Sequence, residues 1–337
     1  KKLADVKTYT GYGDEQGDVR LRRALADWYK KQKITLDPSE IFVSDGAKPD
    51  SANIQSIFDE KSVVAVQDPV YPVYLDTTII NGRKVVLMAC HEKNGFIPVP
   101  PKGTVDLIYL CSPNNPTGVV VNKEQLTTFV NYARKYKAVI IFDAAYFAFI
   151  QDPRLPRSIY EIPGAKTCAI EINSFSKFAG FTGVRLGWTV VPNDLVVKGA
   201  KKGKARSLWL RRQTTMFNGA SNIAQEGGLA VLSRQGWKEC MGIVHYYMEN
   251  AKIIKRALLA LGLTIYGGDN APYVWLKVPK GMTSWEFFDK LLNECHVVST
   301  PGSGFGKAGE GYIRLSAFGH RDDIERAVES IEKNLKL

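Results

Sequence analysis

The sequence predicts an α/β protein, with a large unit built on a mainly parallel sheet sandwiched by helices and a smaller α+β unit after it. Three observations carry this reading. Over the first part of the chain, short apolar runs (41–44, 62–67, 85–88, 106–111, 138–143, 167–172, 187–191) alternate with helical stretches such as 19–31, 123–136 and 221–233. A long helical pattern then runs from Gly236 to Leu261. Beyond Gly262 the chain reads as two strands, Tyr273–Lys277 and Tyr312–Ser316, and two helices, Ser284–Glu294 and Asp322–Leu335. The division that follows is 1–235 for the large unit and 236–337 for the small one, with no internal repeat.

Taken in order, four of the strands end in segments with chemical content. Ile41-Phe42-Val43 leads into Ser44-Asp45-Gly46-Ala47-Lys48-Pro49-Asp50. A strand, a glycine turn and a proline near the first helical position are the layout of a helix N-terminus, where free amides attract an anion. A capped surface helix would look much the same. The run 106–111 enters Ser112-Pro113-Asn114-Asn115-Pro116-Thr117-Gly118, whose prolines and glycine force an irregular loop that can present an amide donor. A plain turn is the alternative there.

Ala138 to Phe142 is an apolar run closed by Asp143, with Tyr146 three residues on. A buried strand ending in an acid places a carboxylate at the edge where open α/β sheets hold ligands. Such an aspartate can pair with a protonated pyridine nitrogen, and it can equally cap the next helix. The last of these segments is Ser174-Phe175-Ser176-Lys177, with Arg185 eight residues further on inside GFTGVRLGW. A lysine among small hydroxyls, then a glycine turn and an arginine, suits a covalently held phosphate cofactor. The amine condenses with an aldehyde, and hydroxyls and guanidinium hold the phosphate.

These segments, with Asp-Ala-Ala-Tyr at 143–146, resemble the pyridoxal-phosphate aminotransferases of fold type I. The strings GYGDEQG (11–17), DPVYPVY (68–74), PRSIYEIPGA (156–165), FNGASNIAQ (217–225), YGGDNAPYVW (266–275) and TPGSGFGKAGEGYIRLSAFGHR (300–321) resemble, more narrowly, the LL-diaminopimelate aminotransferases. The resemblance runs over essentially the whole chain. It implies pyridoxal 5'-phosphate bound covalently to Lys177, with Asp143 on the ring nitrogen, Asn115 and Tyr146 on the ring oxygen and Tyr71 against the ring face. It implies that Ala47, Lys48, Ser174, Ser176 and Arg185 hold the phosphate, with Tyr12 reaching in from a second subunit. Arg314 would clamp the substrate α-carboxylate with Asn218 alongside, and Glu15 would meet the distal amine across a homodimer. Lys48, Tyr71 and Asn115 would also face substrate. A guanidinium fork binds a carboxylate bidentately, so lysine would replace Arg314 poorly.

The activity implied interconverts L-glutamate plus tetrahydrodipicolinate, as the open amino-oxopimelate, with 2-oxoglutarate plus LL-2,6-diaminopimelate. For this, Lys177 needs an amine less basic than the usual value of about 10.4. Two other readings stand beside it, a related aminotransferase acting on the α-amine of lysine and a non-catalytic binding protein on the same scaffold. The sequence departs from the family pattern in three places. Only ten residues precede GYGDEQG, where the pattern leads one to expect an arm with a substrate-contacting tyrosine. Pro49 stands where a small or apolar residue is usual, and 197–212 (VKGAKKGKARSLWLRR) matches little.

Composition narrows the classes. No apolar run approaches the ~20 residues of a membrane span, and no leader-like segment is visible, which fits a bacterial cytoplasm or a plastid. Five scattered cysteines (90, 111, 168, 240, 295) and four histidines without ligand spacing argue for a reducing compartment and no metal. Much of the net charge of +11 is concentrated in one stretch, 198–212, rather than in a basic helix with interleaved aromatics, so a solvated loop is expected there and a nucleic-acid surface comes last. A positive field favouring dianionic substrates is the second reading of that charge. The run Thr300–Gly306 resembles a mobile loop near the site, with a plain glycine-rich connection as the alternative.

Overall fold

The computed structural model describes residue 7 and residues 11–336, so the rest of the expected first unit, residues 1–6 and 8–10, lies outside the described residues. Seven strands form the large sheet: β1 (Ile41–Ser44), β2 (Val64–Asp68), β3 (Val85–Ala89), β4 (Leu107–Cys111), β5 (Val139–Asp143), β6 (Ala169–Ser174) and β7 (Gly187–Val190). Their spatial order is β1-β7-β6-β5-β4-β2-β3. The pairs from β6 through β3 are parallel, whereas β7 runs antiparallel to both β6 and β1. Every residue of β4, β5 and β6 is buried, as a parallel sheet covered on both faces requires.

Alternation along β5 shows the two faces directly. Ile140 and Phe142 enter a core shared with α1 (Val19–Lys31), α4 (Lys123–Tyr136) and α6 (Asn222–Leu232). Val139 and Ile141 enter the opposite core, with Tyr74 of α3 (Val73–Ile80) and Trp209 of α5 (Lys204–Met216). Between β1 and α3 lies the short helix α2 (Ala47–Asn53). Local signals fix the ends of these elements. Asn122 caps α4 by accepting from Gln125 N at 2.9 Å, while the Gln125 side chain accepts from Asn122 N at 2.8 Å.

The basic stretch 198–212 departs from expectation, since from Lys204 onward it is α5 and not a loop. Ala205, Trp209 and Gln213 follow at four-residue spacing and are buried, so one stripe of an otherwise cationic helix packs onto the sheet. The run at 300–306 likewise carries regular structure. Thr300–Pro301 forms β10, and two 3-10 turns, Gly302–Phe305 and Lys307–Gly309, follow with Phe305 buried.

The second sheet is fully antiparallel, with order β10-β11-β9-β8, where β8 is Ile265–Gly267, β9 is Tyr273–Lys277 and β11 is Tyr312–Ser316. Helices α8 (Ser284–Cys295) and α9 (Arg321–Asn334) share its core. Helix α7 (Arg234–Ala260) ties the units together: Cys240, Val244 and Met248 pack with the large sheet, and Ala251, Ile254 and Leu258 with the small one. The expected boundary at 235/236 falls in its first turn. The units also meet backbone to backbone. A Cβ on Gly118 would lie 2.6 Å from Tyr273 O, and one on Gly267 only 2.3 Å from Thr117 O. No helix among the described residues is long and apolar enough to cross a membrane.

A buried acid, Glu171 of β6, joins three parts of the large unit. Oε1 accepts from Tyr29 Oη at 2.6 Å and Asn173 Nδ2 at 2.9 Å, and Oε2 accepts from Ser158 Oγ at 2.6 Å and Ile159 N at 2.9 Å. Glu171→Gln sets an NH2 group against two of these donors. It should destabilise the fold by about 1–3 kcal/mol, read as a lower urea midpoint at unchanged slope.

Candidate active site

The C-terminal ends of β4 and β5 stand level, because Cys111 pairs with Asp143, while β6, whose Ile172 pairs with Asp143, runs two residues further to Ser174. Above them opens a cavity of about 480 Å³. Asp143 lies at its base, only 6% exposed. Its Oδ2 accepts from Tyr74 Oη at 2.6 Å and its Oδ1 from Ala145 N at 2.9 Å. Tyr74 in turn stacks on Tyr109 at 5.0 Å between ring centroids. Burial pushes the Asp143 carboxyl up from the ordinary range, and the two hydrogen bonds pull it the other way. No cation is ion-paired with it among the described residues.

Lys177 enters the cavity from the turn after β6, where the fully buried rings of Phe175 and Phe178 anchor the backbone on either side. Its Nζ lies 5.4 Å from the centroid of the Phe318 ring and has no acidic partner among the described residues. Burial lowers the basicity of this amine, and the charges of Arg314, Arg185 and Lys48 add to that effect.

One flank is a cradle for an anion. Ser174, Ser176, Arg185, Ala47 and Lys48 all line it. Helix α2 begins at Ala47 with no side-chain cap, so its first amides stay free. Arg185 Nη1 donates to Thr182 O at 2.9 Å and Ser176 Oγ at 3.3 Å. Space for the guanidinium depends on Gly46, where an added Cβ would fall 2.3 Å from Arg185 Nη2. A Cβ on Gly187 would sit 2.9 Å from Gly46 Cα, so both glycines must stay bare. Tyr71 completes this side, its ring centroid 5.7 Å from Lys48 Nζ.

The opposite wall belongs to the second sheet. Arg314 of β11 donates through Nη1 to Asn115 Oδ1 at 2.7 Å, with Nη2 3.3 Å from Thr300 Oγ1. The guanidinium lies between Tyr273 at 4.7 Å and Phe305 at 4.8 Å, and its Nε is buried without a partner. Tyr146 shares a 2.7 Å hydrogen bond with the Tyr273 hydroxyl. The arrangement can take a molecule that is negatively charged at two ends and carries a basic atom between them.

The structure thus brings together Ala47, Lys48, Tyr71, Asn115, Asp143, Tyr146, Ser174, Ser176, Lys177, Arg185 and Arg314. Tyr12, Glu15 and Asn218 are not among the lining residues. Asn218, expected beside Arg314, instead follows α5 in a turn that packs on the 11–18 segment. Asn222 Nδ2 donates to Gly11 O at 3.2 Å there, and Asp18 N to Gln225 Oε1 at 2.7 Å. Tyr12 is 87% exposed on that surface. Sequence reasoning missed Tyr74 and Tyr273. Both lie inside strings already singled out, DPVYPVY and YGGDNAPYVW, but only the inward turn of α3 and β9 selects them. Among the described residues no group of three or more His, Cys, Asp or Glu is placed to hold a metal ion.

The family described as aminotransferase class I and II matches residues 1–331. The chain belongs to the class I and II aminotransferases. More narrowly, it is 47% identical to L,L-diaminopimelate aminotransferase from Chlamydomonas reinhardtii, with a TM-score of 0.92 over 98% of this chain and 83% of that one. It is also similar to the aromatic aminotransferase from Pyrococcus horikoshii, at 28% identity and TM-score 0.87 over 96% and 87%. The aspartate aminotransferase from Thermotoga maritima matches at 26% identity and TM-score 0.85, over 97% and 84%.

In the cofactor-free protein, Lys177 should react with trinitrobenzenesulfonate with a pH midpoint below the usual lysine value of about 10.4. Arg314→Leu should move that midpoint part of the way back up, because burial remains. Peptide mapping of the labelled protein against pH measures both.

Proposed function

We propose that the protein uses pyridoxal 5'-phosphate to move an amino group between L-glutamate and the amino-oxo acid whose product is LL-2,6-diaminopimelate. The observation that carries this is the pairing, in one cavity, of a buried carboxylate without a cation and a buried amine without an acid. The residues fit that group: Asp143 suits a protonated ring nitrogen, and Asn115 and Tyr146 suit the ring oxygen. Tyr71 suits the ring face, and the Ser174, Ser176, Arg185, Ala47 and Lys48 cradle suits the phosphate. When bound, the cofactor supplies an aldehyde for amine capture and a ring that spreads the charge left at the substrate α-carbon.

The chain's own groups do the rest. Lys177 Nζ would be the amine that holds the cofactor covalently, and as a free amine it would take the α-proton and return it. Its lowered basicity puts more of the free amine at neutral pH. Arg314 holds the α-carboxylate with two parallel N–H donors, and Asn115 keeps the fork in position through its Oδ1. Likeness to the 47%-identical diaminopimelate enzyme supports the particular substrate.

The surface carrying Tyr12, Glu15 and Asn218 also exposes Met216 (69%) and Ile223 (61%). These five residues form the face on which a second copy docks in a two-fold dimer, each chain lending Tyr12 to the partner's phosphate cradle and Glu15 and Asn218 to its substrate.

Lys177→Ala should lower transamination from glutamate by at least roughly 100-fold and abolish borohydride-fixed attachment of the cofactor to the chain. In a substrate panel, 2-oxoglutarate should be aminated faster with LL-diaminopimelate than with lysine as donor; a preference for lysine overturns the substrate assignment. For the dimer, mixing inactive Lys177→Ala with inactive Tyr12→Ala chains should restore about a quarter of native activity. Half the dimers are then hybrids, each with one intact site. No recovery on mixing refutes the shared site.

A further inference from the structure

Tyr273 has no role in the reading above, yet its hydroxyl is buried 2.7 Å from that of Tyr146. Two hydroxyls at that distance share one proton between their oxygens, so only one of them donates. The direction matters. If Tyr146 donated, its proton would be committed to Tyr273 and could not serve a ligand. If Tyr273 donates, the Tyr146 proton is free to point into the cavity.

Local charge sets the direction. The Arg314 guanidinium lies 4.7 Å from the centroid of the Tyr273 ring, and a cation there draws charge from the phenol and makes it the better donor. Tyr146 lines the cavity with Asp143 instead, and burial first, with the carboxylate charge added to it, makes its proton harder to lose and its oxygen the better acceptor. Burial raises both phenols most; the Arg314 charge pulls Tyr273 back down, whereas the Asp143 charge raises Tyr146 further. Packing does not explain the hydroxyl. The Tyr273 ring meets Tyr146 at 5.2 Å and Phe318 at 6.0 Å, contacts that a phenylalanine would keep.

We propose that Tyr273 is a positioning residue that donates its hydroxyl proton to Tyr146 Oη and thereby aims the Tyr146 proton at the ring oxygen of the bound cofactor. Arg314 then serves both donors to that oxygen: it orients Asn115 directly, through the 2.7 Å bond to Oδ1, and Tyr146 through Tyr273. This rests on the cofactor assignment made under Proposed function.

The test is a pH titration of the near-visible absorption of the protein loaded with pyridoxal 5'-phosphate. A phenolic oxygen that loses a donor holds the neighbouring proton more tightly, so the midpoint rises when the donor is removed. Tyr273→Phe should raise the midpoint by roughly 0.5–1 pH unit, the size one hydrogen bond supports. Tyr146→Phe should raise it further, and the double variant should match Tyr146→Phe alone. Thermal melts that coincide with native protein check that the phenylalanine variant is folded. A midpoint in folded Tyr273→Phe equal to the native one, or full additivity in the double variant, overturns the inference while leaving the cofactor assignment standing. Native protein that takes up no cofactor and shows no such band overturns both.

Discussion

A carboxylate kept from water with no cation beside it is the constraint on which this site turns. Taking an ion out of water is costly unless other groups offset the loss. At Asp143 the offset comes from the Tyr74 phenol and the Ala145 amide. Both depend on the surrounding fold, since Tyr74 must stand on Tyr109 and the turn beyond β5 must wind into the core. Four cations, Lys48, Lys177, Arg185 and Arg314, line the same cavity, and none is ion-paired among the described residues. The positive excess has a sign and a place, and a multiply anionic small molecule neutralises it.

Two sheets make the site and neither suffices. The large sheet sets the floor, the amine and the anion cradle at one edge, while Arg314 and Tyr273 come from the small sheet. The contact of Thr117-Gly118 with Gly267 and Tyr273 locks the loop bearing Asn115 to the strand bearing Tyr273. The Arg314–Asn115 bond therefore spans a joint that two backbones hold closed, and α7 runs through both cores behind it.

Much of this was legible in the sequence because parallel strands announce themselves. β4 and β5 are apolar up to a polar end, so the place of Asn115 and Asp143 at the sheet edge could be read directly; β6 carries Glu171 and Asn173 inside it, and Lys177 was reached through its own motif. Register shifts were small. The run at 167–172 became Ala169–Ser174 because a 3-10 turn at Ala165–Thr167 takes its start. Helix α5 was hidden because its apolar stripe is only Ala205 and Trp209 among lysines and arginines. Tyr74 and Tyr273 were hidden for another reason: sequence places a motif at an edge but does not say which of its aromatic rings turns inward. Asn218 was expected beside Arg314 but lies in a turn against the 11–18 segment, because the position of a motif along the chain does not say which cavity its loop faces.

The bare pair Gly46 and Gly187 also bears on how such a chain diverges. Filling Gly46 blocks the guanidinium of Arg185, and filling Gly187 presses on Asn173 O and on the Gly46 backbone, so the second glycine protects the first. Arg185 and Gly187, close neighbours in sequence, are thus tied to Gly46, far earlier in the chain. Descendants that keep the arginine must keep Gly46 bare, whereas losing it frees neither glycine: Gly46 holds a φ of +136° and Gly187 still faces Asn173 O.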